Sequence, residues 1–192
     1  MAIGTVEPRR ATTEGLVGRA AELGALDRML QVDRPWITFV HGVAGVGKSS
    51  LLRSFSADAR SAGAIVIPLD CRALEPTDRG VSEALASALG LRDASVEAIA
   101  GRLQRQKAPV VLLFDHYEVL RLVDTWLRQS FVPVMPDNVR LVIAGREPPV
   151  AAWLASPELA GAVRTMPLSP LDLEDAVSLF VRSASRRLGR AA

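Results

Sequence analysis

Four short apolar runs recur along the chain, each unbroken rather than alternating with polar residues. They are "WITFVHG" (36–42), "AIVIPLD" (64–70), "PVVLLFD" (109–115) and "VRLVIAG" (139–145). A fifth, "AVRTMPL" (162–168), is shorter and less pure. Unbroken runs of this length predict strands buried on both faces. The segments between them carry helical spacing. Leu23, Leu26, Met29 and Leu30 share one face of a helix within 16–30, and Leu51, Leu52, Phe55 and Ala59 one face of a helix over 48–62. Two more helices are predicted at about 78–90 and 95–107, and "EVLRLVDTWLRQSFVPVM" reads as helical up to Pro133. A turn and a short helix follow Pro148 and Pro149, and a last helix follows Asp172, a candidate N-cap with acids in its first turn. Gly63 and Gly90 suit helix ends, and Pro68 suits a strand end or an edge strand. Strands alternating with helices predict an α/β fold: a parallel sheet with helices on both faces. Residues 1–14 are expected to be a disordered lead-in, and 15–188 a single domain.

Composition narrows the classes. The 192 residues are 49% hydrophobic and 23% charged, with a formal net charge of +2. Acids and bases are interspersed, so nothing here argues for a nucleic-acid or membrane surface, and direct nucleic-acid binding by this domain is not expected. The single cysteine, Cys71, excludes an intramolecular disulfide and reads as a buried small hydrophobe. No run approaches the roughly 20 apolar residues that span a bilayer. The N-terminus has no apolar signal core. A cytoplasmic protein is expected.

Of the 23 basic residues only two are lysine, Lys48 and Lys107. Lys48 stands in "HGVAGVGKSS", between a predicted strand and a predicted helix. Gly42-Val43-Ala44-Gly45-Val46-Gly47-Lys48-Ser49 fits G-x-x-x-x-G-K-[ST], the phosphate-binding P-loop, and Ser50 follows it. Glycines let successive backbone N–H groups turn around an anion, and the helix behind them points its positive end the same way. A lysine reaches the β- and γ-phosphates as a compact ammonium, where a planar guanidinium fits poorly. The Ser49 hydroxyl is a candidate ligand of Mg²⁺. Nothing like a guanine-reading N-K-x-D is present, which favours ATP over GTP.

A P-loop needs an acid across the sheet. Asp115 ends the most apolar run and is the candidate Mg²⁺ partner, normally through water. Where many hydrolases place a glutamate directly after that acid, this chain has His116. Glu118 lies two residues further on and could polarise the attacking water, or could favour a helix start; His116 is the weaker candidate base. Arg146, just past the fourth strand, is a candidate sensor of the γ-phosphate, with a surface arginine as the plainer reading.

Together these pieces resemble the STAND ATPases (signal transduction ATPases with numerous domains), within the AAA+ division of P-loop NTPases. "LVGR" (16–19) resembles the family's opening motif near the adenine, which puts Val17, Gly18 and Arg19 among the nucleotide-binding residues. "GVAGVGKSSLL" resembles its Walker A, "VVLLFDHYEVL" its Walker B, and "RLVIAGR" its sensor strand. "MPLSPLDLEDAVSLF" resembles the segment closing the nucleotide core in ATPases attached to bacterial transcription regulators. The resemblance implies a three-layer P-loop NTPase, five mainly parallel strands in the order 5-1-4-3-2. It also implies an ATP/ADP switch with Mg²⁺, slow hydrolysis and nucleotide-dependent homo-oligomers. Neither a winged-helix portion nor a sensor or effector domain is expected within 15–188, and no arginine finger is identifiable. Other readings stay open: an origin-recognition-type AAA+ module associated with DNA, a small-molecule kinase, and a scaffold that binds ATP without hydrolysing it.

Overall fold

A computed structural model describes residues 16–31 and 37–188; the lead-in expected over 1–14 lies outside them. Helix α1 spans Ala20–Arg28, strand β1 Ile37–His41, α2 Lys48–Ser61, β2 Ile65–Asp70, α3 Asp78–Ala88 and α4 Val96–Gln104. Then come β3 Val110–Asp115, the short α5 Asp124–Trp126, β4 Val139–Gly145, α6 Ala151–Ala155, β5 Val163–Pro167 and α7 Leu173–Leu188. The sheet order is β2-β3-β4-β1-β5, and all four pairings are parallel. This is the order 5-1-4-3-2 read from the other side. Pro68 falls in β2, an edge strand, where its missing N–H costs no ladder bond.

Each strand divides its side chains between two cores. Phe39, Ile67, Leu112, Phe114, Leu141 and Ile143 face one side, packed with Leu85, Ile99, Phe131 and Trp153. Val40, Val66, Val111, Leu113, Val142 and Ala144 face the other, under Leu26, Leu51 and Phe55 of α1 and α2. The unbroken apolar runs are thereby explained: β3 and β4 have no solvent face. The one buried charge in β4, Arg140, donates to the Met29 carbonyl at 2.7 Å and so helps close the C-terminal end of α1. Asn138 does the same for α4, donating to the Leu103 and Gln106 carbonyls at 3.0 Å each.

Helix ends follow the sequence signals closely. Gly63 (φ 89°) and Gly90 (φ 68°) take left-handed conformations behind α2 and α3. Asp172 accepts from the Asp175 N–H at 2.8 Å and caps α7. The first helix occupies Ala20–Arg28 of the 16–30 segment: Gly18 (φ 68°) turns the chain before it, and it ends before Met29 and Leu30. The larger departure follows β3. In place of one helix up to Pro133 there is a 3₁₀ stretch (Tyr117–Val123), the three residues of α5, a π turn (Leu127–Phe131) and a 3₁₀ turn through Pro133. Its apolar residues keep a helical spacing and are buried (Tyr117, Leu120, Val123, Leu127 and Phe131), although the backbone between them is not one α-helix. Among the described residues no helix is long and apolar enough to cross a membrane.

Asp124 ties this irregular segment down. Its Oδ1 accepts from the Tyr117 hydroxyl at 2.8 Å and from the indole Nε1 of the fully buried Trp153 at 2.9 Å. Burial first, then the Asp124 carboxylate, push the Tyr117 hydroxyl far above its ordinary value, so it stays a donor. Asp124→Ala leaves both donors buried without an acceptor and is expected to cost about 2–5 kcal/mol. Urea unfolding of the variant against wild type measures this; a loss below about 0.5 kcal/mol would mean the segment is held by packing alone.

Candidate nucleotide site

The P-loop begins where β1 ends. The Leu168 N–H donates to the His41 carbonyl at 2.7 Å, bringing the chain after β5 against the start of the loop. A Cβ on Gly42 would sit 2.6 Å from the Leu168 carbonyl oxygen, so only glycine fits there. Gly45 (φ 80°) and Gly47 (φ 104°) take left-handed conformations that other residues resist. Gly47 starts α2 without a side-chain cap, and no acid stands in the helix's first turn. By contrast, Thr77 and Ser95 cap α3 and α4 with their own side chains. A 14-residue helix whose leading N–H groups meet no side-chain acceptor is an anion site. The Lys48 ammonium donates to the Gly42 carbonyl at 2.7 Å and the Val43 carbonyl at 3.0 Å, which holds it across the loop mouth. Ser49 and Ser50 follow, half-buried in the first turn.

The LVGR segment forms the second wall. Arg19 is buried, at 7% exposure, and its guanidinium is a clasp. Nη1 pairs with Glu22 at 2.9 Å, and Nη2 donates to the Val46 carbonyl of the P-loop at 3.2 Å and to the Ser169 carbonyl after β5. The structure therefore turns Arg19 onto protein carbonyls, where it shapes the loop. A Cβ on Gly18 would collide with the Asp175 carboxylate and Leu171, so this glycine is where the segment packs on the start of α7. Between Leu16, Val17, the P-loop and Ala176 and Leu179 of α7 lies a cleft of about 520 Å³. It has an apolar wall on one side and the loop backbone on the other, a shape suited to a flat base joined to phosphates.

The ends of β2, β3 and β4 bring further charged residues to the same edge of the parallel sheet. Burial pushes the Lys48 ammonium below its ordinary value; Glu118 and Asp115 pull it back up, and Arg146 opposes them. The four charged residues singled out from the sequence thus act on one another in one place. Arg146 Nε donates to Glu118 Oε1 at 3.1 Å, and Glu118 Oε2 has no hydrogen-bond partner among the described residues. Asp115 Oδ1 accepts from the His116 N–H at 2.9 Å. His116 is the only non-glycine residue with positive φ among the described residues (φ 59°). Such a conformation costs about 1–3 kcal/mol and persists where its surroundings hold it.

The residues fit a Mg-nucleotide: an uncapped helix start and a lysine stand at the end of the glycine loop, and the unpartnered carboxylate oxygen of Glu118 belongs to a group whose charge acts on that lysine. Among the described residues no three His, Cys, Asp or Glu side chains form a metal cage by themselves. Ser49 and Asp115 could therefore hold Mg²⁺ only in company with phosphate oxygens, as this hard, water-keeping ion prefers.

Residues 15–98 match the AAA ATPase domain family. The chain is similar to the solved structure of the Aeropyrum pernix ORC1 protein in complex with DNA, with TM-score 0.69 and 21% identity over 89% of this chain and 50% of that one. It is equally similar to Cdc6p of Pyrobaculum aerophilum, with TM-score 0.69 and 17% identity over 93% and 52%. A looser likeness is to PCH-2 of C. elegans, with TM-score 0.53 and 17% identity over 89% and 47%. The chain thus spans about half the length of these proteins. No curated protein matches it. The fold is the α/β fold of P-loop NTPases.

One charged residue of this sheet edge was missed from the sequence. Asp70 ends β2 directly opposite Asp115 in the strand register. Its Oδ1 lies 3.2 Å from His116 Nδ1, and Arg72 grips both its oxygens, Nε at 3.0 Å and Nη2 at 2.7 Å. The available signal was that two apolar runs, "IVIPLD" and "VVLLFD", each end in aspartate; once β2 and β3 are neighbours the two acids align. Arg72 holds the Asp70 carboxyl well below the usual range, at about 2. The folded-state value lies below the unfolded one, so this contribution to stability is present above about pH 4 and is lost as pH falls towards 2. The pair is exposed, so the contribution is small and weakens with salt. Carboxyl-carbon NMR should find Asp70 titrating near pH 2 and, in Arg72→Gln, closer to the ordinary value of about 3.9. No shift in the variant would contradict the assigned cause.

Proposed function

We propose that this domain binds ATP or ADP with Mg²⁺ and hydrolyses ATP slowly, as the nucleotide switch of a STAND-type cytoplasmic regulator. One observation carries the reading: the glycine loop ends in an uncapped helix start whose Lys48 lies within the charge influence of Glu118, Asp115 and Arg146. The matched family adds to it.

The loop N–H groups and Lys48 bind the phosphates, while Val17, Gly18 and the α7 wall enclose the base. Arg19 keeps those walls together. Ser49 and Asp115 would hold Mg²⁺, which supplies charge neutralisation between the phosphates. Glu118 takes the position of general base toward water, and Arg146 contacts the γ-phosphate. In the structure these two pair with each other, so engaging Arg146 with a phosphate would release Glu118. Catalysis is then positioning and charge stabilisation. Exchange of ADP for ATP would be read out as nucleotide-dependent self-association.

A second reading, a DNA-associated module of origin-recognition type, is favoured by the likeness to the ORC1 protein in complex with DNA. Duplex binding that falls steeply with salt would favour it over the switch.

Glu118→Gln is expected to lower the rate of Mg-ATP hydrolysis by about 10²-fold or more while leaving ATP affinity within about threefold. Phosphate release under multiple turnover, alongside binding of a fluorescent ATP analogue, checks both. Unchanged hydrolysis in the variant would remove Glu118 as the base; no hydrolysis by wild type, with tight binding, would leave a binding scaffold.

A further inference from the structure

The segment carrying Glu118 does not leave β3 as a helix would. It leaves through His116 in the left-handed region, a place where glycine or asparagine is the cheaper choice. Two contacts account for the histidine. Its N–H donates to Asp115 Oδ1 at 2.9 Å, and its buried imidazole Nδ1 approaches two carboxylates, 3.2 Å from Asp70 Oδ1 and 3.6 Å from Asp115 Oδ2, without a hydrogen bond to either. Asp70 is fixed in turn by the Arg72 fork and by its register opposite Asp115. Arg72, Asp70 and His116 thus form a chain of contacts across the tips of the edge strand and its neighbour.

The turn has a direct consequence. Tyr117 goes under the sheet edge, edge-on to Phe39 and bonded to Asp124. Glu118 comes back towards the end of β4, with Oε1 on Arg146 and Oε2 about a van der Waals contact from where a Gly145 side chain would begin. A right-handed or extended residue 116 would send Glu118 elsewhere. The charges acting on Lys48 are those of Glu118, Asp115 and Arg146.

We propose that Asp70 and His116 are a positioning pair: Asp70 holds the imidazole, the imidazole holds the left-handed turn, and the turn delivers Glu118, three residues after Asp115, as the base. This rests on the reading of the domain as an ATPase with Glu118 as its base. His116 then occupies the usual glutamate position without acting on water itself. Neither residue is a catalytic residue in this scheme.

The test compares the full chain with His116→Val, His116→Asn, Asp70→Asn and Glu118→Gln for thermal melting, binding of a fluorescent ATP analogue and Mg-ATP turnover. Valine resists the left-handed conformation and asparagine accepts it. His116→Val should lower kcat by about tenfold or more, towards the Glu118→Gln rate, with ATP affinity within about threefold. His116→Asn should restore most of the loss, and Asp70→Asn should lower kcat by about three- to tenfold at unchanged affinity. Should His116→Val fail to fold, the split between kcat and affinity in Asp70→Asn and His116→Asn decides alone. Wild-type kcat in Asp70→Asn and His116→Val with a crippled Glu118→Gln overturns the positioning pair and leaves the base assignment standing. Wild-type turnover in Glu118→Gln overturns the base assignment and the pair with it. Loss of affinity equal to any loss of kcat marks the pair as merely structural and also overturns the proposal.

Discussion

A parallel sheet buried on both faces leaves polar chemistry only one place to gather, the edge where the strands end. Every other part of this molecule answers to that constraint. β3 and β4 carry no solvent-facing side chains apart from their ends, and both helical layers are spent covering them. Because all pairings are parallel, five strand ends arrive on one edge. The P-loop leaves β1, Asp70 ends β2, Asp115 ends β3, Arg146 follows β4, and the Leu168–Ser169 carbonyls that brace the loop follow β5. The site is a consequence of the topology, as open α/β sheets require of their ligand clefts.

The braces are arginines and the centre is a lysine. Arg19 joins three segments through carbonyls that a single ammonium could not reach in the same geometry. Arg72 grips a carboxylate with two nitrogens. Lys48 does the reverse, placing one compact charge over a loop whose carbonyls it spans. A chain that writes nearly every positive charge as arginine keeps lysine where a point charge must enter a narrow backbone nest.

Strands β1 to β4 and helix α2 were legible from the sequence to within a residue or two, because unbroken apolar runs and left-handed glycines are local signals. The strand order was not legible from pattern alone; it came with the family resemblance, and the structure has it. The segment after β3 was misread as one helix because its apolar spacing is helical while its path is set by tertiary contacts, Tyr117 to Asp124 and the turn at His116. Asp70 escaped notice since an aspartate after a strand reads as an ordinary cap; only the register of β2 against β3 gives it company. Arg19 was singled out for the nucleotide, yet its partners are carbonyls of loops distant in sequence, which no local spacing reveals.

Nucleotide binding at this edge is proposed to rest on the glycine loop and Lys48. The direct measurement is titration of Mg-ATP into the purified chain by calorimetry, with Lys48→Ala in parallel and both proteins checked for equal thermal stability. Saturable binding to one site is expected in the wild type, weakened by about a hundredfold or more in the variant, since a lost charge-assisted phosphate contact at a desolvated site is worth roughly 3 kcal/mol. Equal binding by a folded Lys48→Ala would place the nucleotide elsewhere and contradict the account.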